Sequence, residues 1–155
     1  MIGEIKVNII KYFAICLFTY SPLSALADQT VSIASERELR MECSNSTPSE
    51  ADMTECLKAK ALKSQKELQN TEKKLIKKLS KWYEDPSYIN KAKANLTAAN
   101  KEYIKYRDAQ CKFNYSLGGG AIENALEMRL FACIAELNNR RNQQLIDLMS
   151  KISIK

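Results

Sequence analysis

The chain has 155 residues, of which 24 are lysine or arginine, 18 are aspartate or glutamate and none is histidine, so its formal net charge at pH 7 is +6. The absence of histidine removes the commonest general base and the commonest metal ligand at neutral pH. The sequence also has no G-x-S-x-G nucleophile motif and no phosphate-binding glycine loop followed by lysine. We therefore predict that the protein is not an enzyme and has no cofactor and no metal site.

The first 27 residues have the layout of a secretory signal peptide. Lys6 and Lys11 precede an apolar stretch at 12–20, and a small-x-small cleavage pattern ends at Ala27. The apolar stretch is too short to span a bilayer, which disfavours the alternative of a transmembrane anchor. We predict cleavage after Ala27 and a periplasmic or secreted mature chain that has no transmembrane segment.

Four cysteines remain after the predicted signal peptide, at Cys43, Cys56, Cys111 and Cys133. An even number of cysteines in an exported protein indicates disulfides. A zinc site is the alternative, but it is disfavoured by the lack of closely spaced cysteine pairs and by an oxidising compartment. Three pairings are open, and the sequence alone does not choose among them. We favour the local pairing, Cys43–Cys56 and Cys111–Cys133, in which each bridge contributes about 3 kcal/mol on chain-entropy grounds.

The first part of the mature chain, residues 28–46, shows no periodic apolar pattern, and we predict an extended acidic arm held at Cys43. A helix start follows, with Thr47 as the N-cap and Pro48 at the first helical position. The apolar stripe of this first helix repeats every seven residues, at Ala61, Leu68, Leu75 and Trp82.

Two further helices are predicted after this one. Asp85 and Pro86 repeat the start signal, and the second helix has a stripe with alternating spacings of three and four, at Ile89, Ala92, Leu96, Ala99, Tyr103, Tyr106, Gln110 and Phe113. The glycines at 118–120 end it. A third stripe follows, at Ile122, Leu126, Leu130, Cys133, Leu137, Leu145 and Leu148. We predict an all-α domain over residues 47–155, an antiparallel bundle of about three long helices stapled by two disulfides.

Charge is sorted along the mature chain. Residues 28–55 hold seven acidic and two basic residues, whereas residues 56–81 hold nine lysines and two glutamates. Charged outer faces are normal for long helices, and acidic residues favour helix starts. The functional alternative is that the acidic segment binds a cationic partner and the lysine-rich helix an anionic surface. Nucleic acid is not the predicted partner, because the chain carries an export signal and lacks an aromatic and basic platform.

Several motifs resemble the LprI-type lysozyme-inhibitor family of small exported helical proteins. They are the four cysteines in order, the run Tyr106-Arg107-Asp108-Ala109-Gln110-Cys111, the Gly118-Gly119-Gly120 loop and the helix end Glu136-Leu137-Asn138-Asn139-Arg140. The resemblance covers about 43–148. Tyr103 stands where relatives often have Trp, and a lipid-anchor cysteine is missing. For Tyr103, Tyr106, Arg107 and Asp108 we favour a structural role over contact with a partner.

The resemblance implies a periplasmic or surface protein, and some relatives bind and block lysozyme. Animal lysozymes are strongly cationic, so an inhibitor gains association rate and specificity from negative surface. We therefore predict a lysozyme or another muramidase as the protein partner, blocked by occlusion of its surface. The candidate contacts are Glu38, Glu42, Glu50, Asp52, Gly118, Gly119 and Gly120.

Two other functions stay open at this point. The first is a non-inhibitory envelope module that binds anionic lipid or polymer through the lysines of 58–81. The second is an immunity protein that neutralises a secreted toxin. The sequence does not reveal the class of lysozyme or the oligomeric state.

Overall fold

A computed structural model describes residues 32–154, and the predicted signal peptide lies outside them. The helices of the described chain are α1, Glu36–Ser46; α2, Glu50–Leu79; α3, Pro86–Ser116; and α4, Glu123–Ser150. The all-α prediction is confirmed, but the bundle has four helices rather than three. Within residues 32–154, no helix contains an apolar run long enough to cross a membrane.

The additional helix is α1, so the prediction of an extended arm is wrong for residues 36–46. Ser35 forms a capping box with Glu38: the Glu38 N–H donates to Ser35 Oγ (3.3 Å), and the Ser35 N–H donates to Glu38 Oε2 (2.7 Å). The Ser35 hydroxyl also donates to Glu38 Oε2 (2.8 Å), and the bond from the Ser35 N–H together with this one lowers the pKa of the Glu38 carboxyl. Leu39 and Cys43, one turn apart, are both buried. Two apolar residues are too few for a periodic pattern, and a helix this short depends on tertiary packing.

The predicted helix starts are partly confirmed. α2 begins at Glu50 and Ser49 is its N-cap, two residues later than predicted, because the Thr47 hydroxyl donates to the Cys43 carbonyl (2.7 Å) at the end of α1. Asp85 caps α3 as predicted: the N–H of Ser87 donates to Asp85 Oδ1 (2.7 Å), and Pro86 occupies the first turn.

Side-chain contacts fix the direction of each helix. α2 and α4 are parallel, since Ser64 contacts Asn138 and Lys78 contacts Met149 further along both helices. α3, which lies between them in the sequence, is antiparallel to α4. Later residues of α3 contact earlier residues of α4, in the pairs Asn100–Arg141, Tyr103–Asn138 and Cys111–Cys133. Short connections favoured opposite directions for consecutive helices, and that arrangement is observed.

The structure contains disulfides between Cys43 and Cys56 and between Cys111 and Cys133, the local pairing favoured from the sequence. The first bridge joins α1 to α2, and the second joins α3 to α4. Each helix of the described chain is therefore linked to a neighbouring helix by a disulfide, in addition to the connecting loops.

Two apolar clusters form the core. One joins α1, α2 and α4 through Leu39, Cys43, Leu57, Ala61, Ala132 and Ala135. The other centres on Leu68, Leu75, Leu79 and Leu145, with Trp82, Leu96 and Tyr103 packed against it. Between them along α2 lies the buried Ser64, which faces the fully buried Asn138 of α4. A polar layer thus separates the two apolar clusters.

The predicted stripe of α3 is only partly correct. Ala92, Leu96 and Tyr103 pack against the second cluster as expected. In the second half of α3 the residues that turn inward are instead Asn100, Arg107 and Cys111, while the other four members of the predicted stripe in this half are exposed: Ala99, Tyr106, Gln110 and Phe113. The disulfide at Cys111 and the hydrogen bonds of Arg107 set this orientation, and neither is visible in apolar periodicity.

Candidate partner-binding site

The sequence-predicted contact residues lie on three parts of the bundle. Glu50 and Asp52 are exposed in the first turn of α2, where the Ser49 hydroxyl donates to Asp52 Oδ2 (2.6 Å). The Thr54 hydroxyl approaches the carbonyl oxygen of Asn124 (3.5 Å), which places the first turns of α2 and α4 side by side. The glycine loop directly precedes α4. Glu50, Asp52 and the loop therefore share one end of the bundle.

The other two predicted acidic contacts are not brought to this end. Glu38 lies at the N-terminus of α1 in its capping box, and Glu42 forms an ion pair with Lys60 (2.7 Å). Leu39, between them, packs near Lys60. At 1.5 Å per residue, that level of α2 is roughly 15 Å from its first turn. Glu38 and Glu42 thus lie on the flank of the bundle.

The glycine loop has a fixed backbone. Gly119 has φ +56°, in the left-handed region that glycine adopts without strain. A Cβ at Gly118 would overlap the side chain of Leu126, so this glycine lets the loop pack against α4. No such contact or dihedral constrains Gly120. Gly119 is therefore favoured by its backbone dihedral, and Gly118 by the packing of Leu126 against the loop.

Large apolar side chains flank this loop and are exposed. Leu117 has 61% of its surface exposed, and Phe113 and Ile122 are also exposed. Phe113 and Leu117 are four residues apart, so they share one face of α3. We name this surface the loop end and define it by Glu50, Asp52, Phe113, Leu117, the glycines 118–120 and Ile122.

Sequence reasoning missed the apolar part of the loop end. Phe113 and Ile122 were placed in helix stripes and hence in the core, and Leu117 was not singled out. A usable signal was the position of Leu117 and Ile122 on either side of three glycines. Apolar residues that flank a glycine loop lie at helix ends, where burial is limited.

Arg107 is the centre of the polar layer. Its Nε and Nη2 donate to Asp108 Oδ1 (2.9 and 2.6 Å), and its Nη1 donates to Asn138 Oδ1 (3.1 Å) and to Gln65 Oε1. Asn138 in turn donates from Nδ2 to Ser64 Oγ (3.1 Å). One guanidinium therefore connects α2, α3 and α4, an arrangement that suits a structural role.

Tyr103 and Tyr106, which were also predicted to be structural, differ in burial. The Tyr103 hydroxyl donates to Asn138 Oδ1 (3.4 Å), and the ring lies beneath the Arg141 guanidinium (5.7 Å from the ring centre). Burial raises the pKa of Tyr103 to about 12, against the opposing effect of Arg107. Tyr106, by contrast, is exposed and takes no part in the layer. It lies on the same exposed face of α3 as Phe113.

A groove between α2 and α3 has a volume of about 440 Å³. Its walls include Glu72, whose pKa is raised by burial and lowered in part by Arg141, and Asn100, which accepts a hydrogen bond from Arg141 (3.2 Å). Residues 32–154 contain no group of three or more acidic or cysteine side chains placed to hold a metal ion.

Comparison with known proteins gives one informative result. No curated protein and no solved structure matches the chain significantly. A family model described as "Lysozyme inhibitor LprI" matches residues 41–145, about two thirds of the chain. The matched range includes all four disulfide cysteines, the polar layer and the glycine loop. The chain belongs to the LprI lysozyme-inhibitor family.

Proposed function

We propose that this chain is an exported lysozyme inhibitor that occludes its target through the loop end. The family match over residues 41–145 is the observation that supports the activity. The exposed acidic and apolar side chains around a fixed glycine loop support the place of contact. The absence of histidine from the sequence and the pairing of four cysteines in disulfides fit a protein that acts by binding.

Local charge supports the loop end over other parts of the surface. The mature chain is basic, and α2 carries eight of its sixteen lysines, so much of the bundle would repel a cationic lysozyme. At the loop end, Glu50 and Asp52 are exposed, and Glu123 is exposed in the first turn of α4. Lys58, the nearest lysine along α2, is ion-paired with Glu55 (3.2 Å). Glu50, Asp52 and Glu123 therefore outnumber the cations beside the apolar side chains, which are the exposed Lys112 next to Phe113 and Arg129 against Gly118.

The first test is inhibition itself. Purified mature protein with both disulfides intact is expected to slow the clearing of bacterial cell walls by at least one class of lysozyme. Full lysozyme activity at excess protein, across animal and phage-type classes, would contradict the proposed function.

Leu117→Ala is expected to weaken inhibition about thirtyfold, because an apolar anchor at the centre of an interface often contributes 2 kcal/mol or more. Leu148→Ala is the matched control: Leu148 is 51% exposed, compared with 61% for Leu117, but lies near the C-terminus of α4 at the opposite end of the bundle. The measurement is the inhibition constant in the clearing assay. Equal losses in the two variants would rule out the loop end as the contact.

Neutralising Glu50 and Asp52 together, to Gln and Asn, is expected to slow association about three- to tenfold and to reduce its dependence on salt. The control pair is Glu67→Gln with Glu102→Gln, which removes the same charge from exposed positions elsewhere. Association rates at low and physiological salt provide the measurement. A control pair that slows association as much would show that net charge, not the loop end, steers the partner.

A further inference from the structure

The opposite end of the bundle carries a cluster of lysines. Lys74, Lys77, Lys78 and Lys81 follow one face of α2 at its C-terminus, and they surround a cavity of about 230 Å³ together with Ile154. Residues spaced by three and four on a helix are neighbours, so these four lysine side chains are adjacent on one face. We name this surface the lysine end, defined by these four lysines, Tyr83 and Ile154.

The lysines of the two halves of α2 have different surroundings. In the first half, Lys58, Lys60 and Lys63 each form an ion pair with a glutamate. At the lysine end, no carboxylate of residues 32–154 lies within ion-pair distance of the four ammonium groups. Adjacent like charges destabilise a helix, so this end of α2 carries a repulsion that its first half does not.

Helix capping accounts for only part of the cluster. Lysines in the last turn interact favourably with the helix dipole, and Lys78 Nζ also donates to the carbonyl of Met149 (2.8 Å). The dipole effect falls off within one turn. Lys74 precedes that turn and Lys81 follows it, so neither is explained by it.

Apolar and aromatic groups border the lysines. Trp82 and Ile154 pair in an isolated antiparallel bridge, and the Tyr83 N–H donates to the Ser153 carbonyl (3.0 Å), which holds the C-terminal segment against the end of α2. Tyr83 and Ile154 are both exposed. Tyrosine is enriched where proteins meet the interface between lipid headgroups and water, and lysines there face anionic headgroups.

We propose that the lysine end docks on an anionic lipid bilayer. The four ammonium groups contact lipid phosphates, and Ile154 and Tyr83 enter the headgroup region. A bilayer fits this surface better than a soluble phosphate does, because the cavity walls are lysine stems and Ile154, which a hydrocarbon boundary can cover. The proposal does not depend on lysozyme inhibition, and it adds a second binding surface to the protein.

Docking in this way would orient the inhibitor. The 30 residues of α2 span about 45 Å at 1.5 Å per residue. The loop end lies at the other end of the same helix. A chain attached to the membrane by its lysine end would therefore hold the loop end well away from the lipid, accessible to an incoming enzyme.

The test is co-sedimentation of the mature protein with vesicles. Binding is expected to vesicles of equal parts phosphatidylglycerol and phosphatidylcholine, to fall steeply with salt, and to be undetectable with phosphatidylcholine alone. The triple variant Lys74→Gln, Lys77→Gln, Lys81→Gln is expected to lower the partition coefficient about a hundredfold, since each lysine near an anionic surface contributes about fivefold. Lys78 is left in place because it bonds Met149.

The matched control removes three other exposed lysines, Lys66→Gln, Lys101→Gln and Lys112→Gln, which have no ion pair among residues 32–154. A loss of only a few-fold supports a local site, whereas a loss equal to that of the first triple variant overturns it. Absence of binding to the mixed vesicles, or equal binding to phosphatidylcholine, also overturns it. Displacement by millimolar inorganic phosphate at constant ionic strength would identify a free phosphate as the ligand and refute the bilayer.

Discussion

Asn138→Ala is expected to lower the free energy of unfolding by about 3 kcal/mol, because it leaves buried polar groups without partners. Asn138 is fully buried and bonds Arg107, Ser64 and Tyr103. Without its amide oxygen, the Arg107 guanidinium loses a partner inside the bundle. The charge stays buried while its compensation is reduced, which is more costly than the loss of a neutral hydrogen bond.

Urea denaturation with the disulfides intact measures this effect. The control is Asn139→Ala, the same substitution at the next position of α4, where the side chain is only partly buried. It is expected to change stability by less than about 0.5 kcal/mol. A double-mutant cycle of Asn138→Ala and Arg107→Ala should show a coupling of about 1–3 kcal/mol. Additive effects, or equal stability of the Asn138 and Asn139 variants, would contradict the account of the polar layer.

Removal of the Cys111–Cys133 bridge by a double serine substitution is expected to cost about 3 kcal/mol as well, since the loop that it closes is 22 residues long. Small domains are stable by only about 5–15 kcal/mol in total. The consequence should be largest in α3, because the bridge lies one turn from Arg107 and sets which face of α3 is buried. Hydrogen exchange resolved by helix, together with denaturation, measures both.

The Cys43–Cys56 bridge provides the comparison. This bridge closes a shorter loop of 13 residues, and its removal has a similar expected cost of about 3 kcal/mol. Its effect on exchange should be confined to α1, whose other long-range bonds include the Glu36 N–H to Glu136 Oε2 (2.7 Å). If exchange in α3 rises equally after either removal, the bridges do not act locally and the assignment of α3's orientation to Cys111 is wrong.

The parts of the fold that follow from local chemistry were predictable. Asp85 and Pro86 specify a helix start by themselves, and the leucines of α2 and α4 recur at helical spacing. α1 was not predictable in the same way, because its helix depends on a bridge and on contacts such as Asn114 Nδ2 to Glu36 Oε1 (2.9 Å) from residues far along the chain.

The stripe of α3 shows a different limit. The apolar spacing placed Tyr106 and Phe113 in the core, because a pattern based on hydrophobicity always favours such residues over Arg107. The observed order depends on a hydrogen-bond network supplied by Gln65 and Asn138 from other helices. Sequence periodicity contains no record of such partners, so a buried arginine is read as exposed.

The candidate site was predictable in outline. The glycine loop and the acids of the first turn of α2 lie at the same end, as a docking surface requires, and helix direction explains why. Glu38 and Glu42 were grouped with them by charge and sequence proximity alone. The turn at residues 47–49 reverses the chain, so α2 runs back along α1. Glu42 consequently lies beside Lys60 and not beside the first turn of α2.

The position of the Tyr-Arg-Asp-Ala-x-Cys run has a consequence for reading other sequences that contain it. Arg107 and Cys111 point inward, where they fasten the helices in one register, and they are absent from the loop end. Two chains that share this run can share the same buried arginine and disulfide and still differ in the side chains around the glycine loop. Kinship can therefore be recognised from the inside of the molecule, whereas under the proposed function the choice of enzyme depends on the side chains around the glycines.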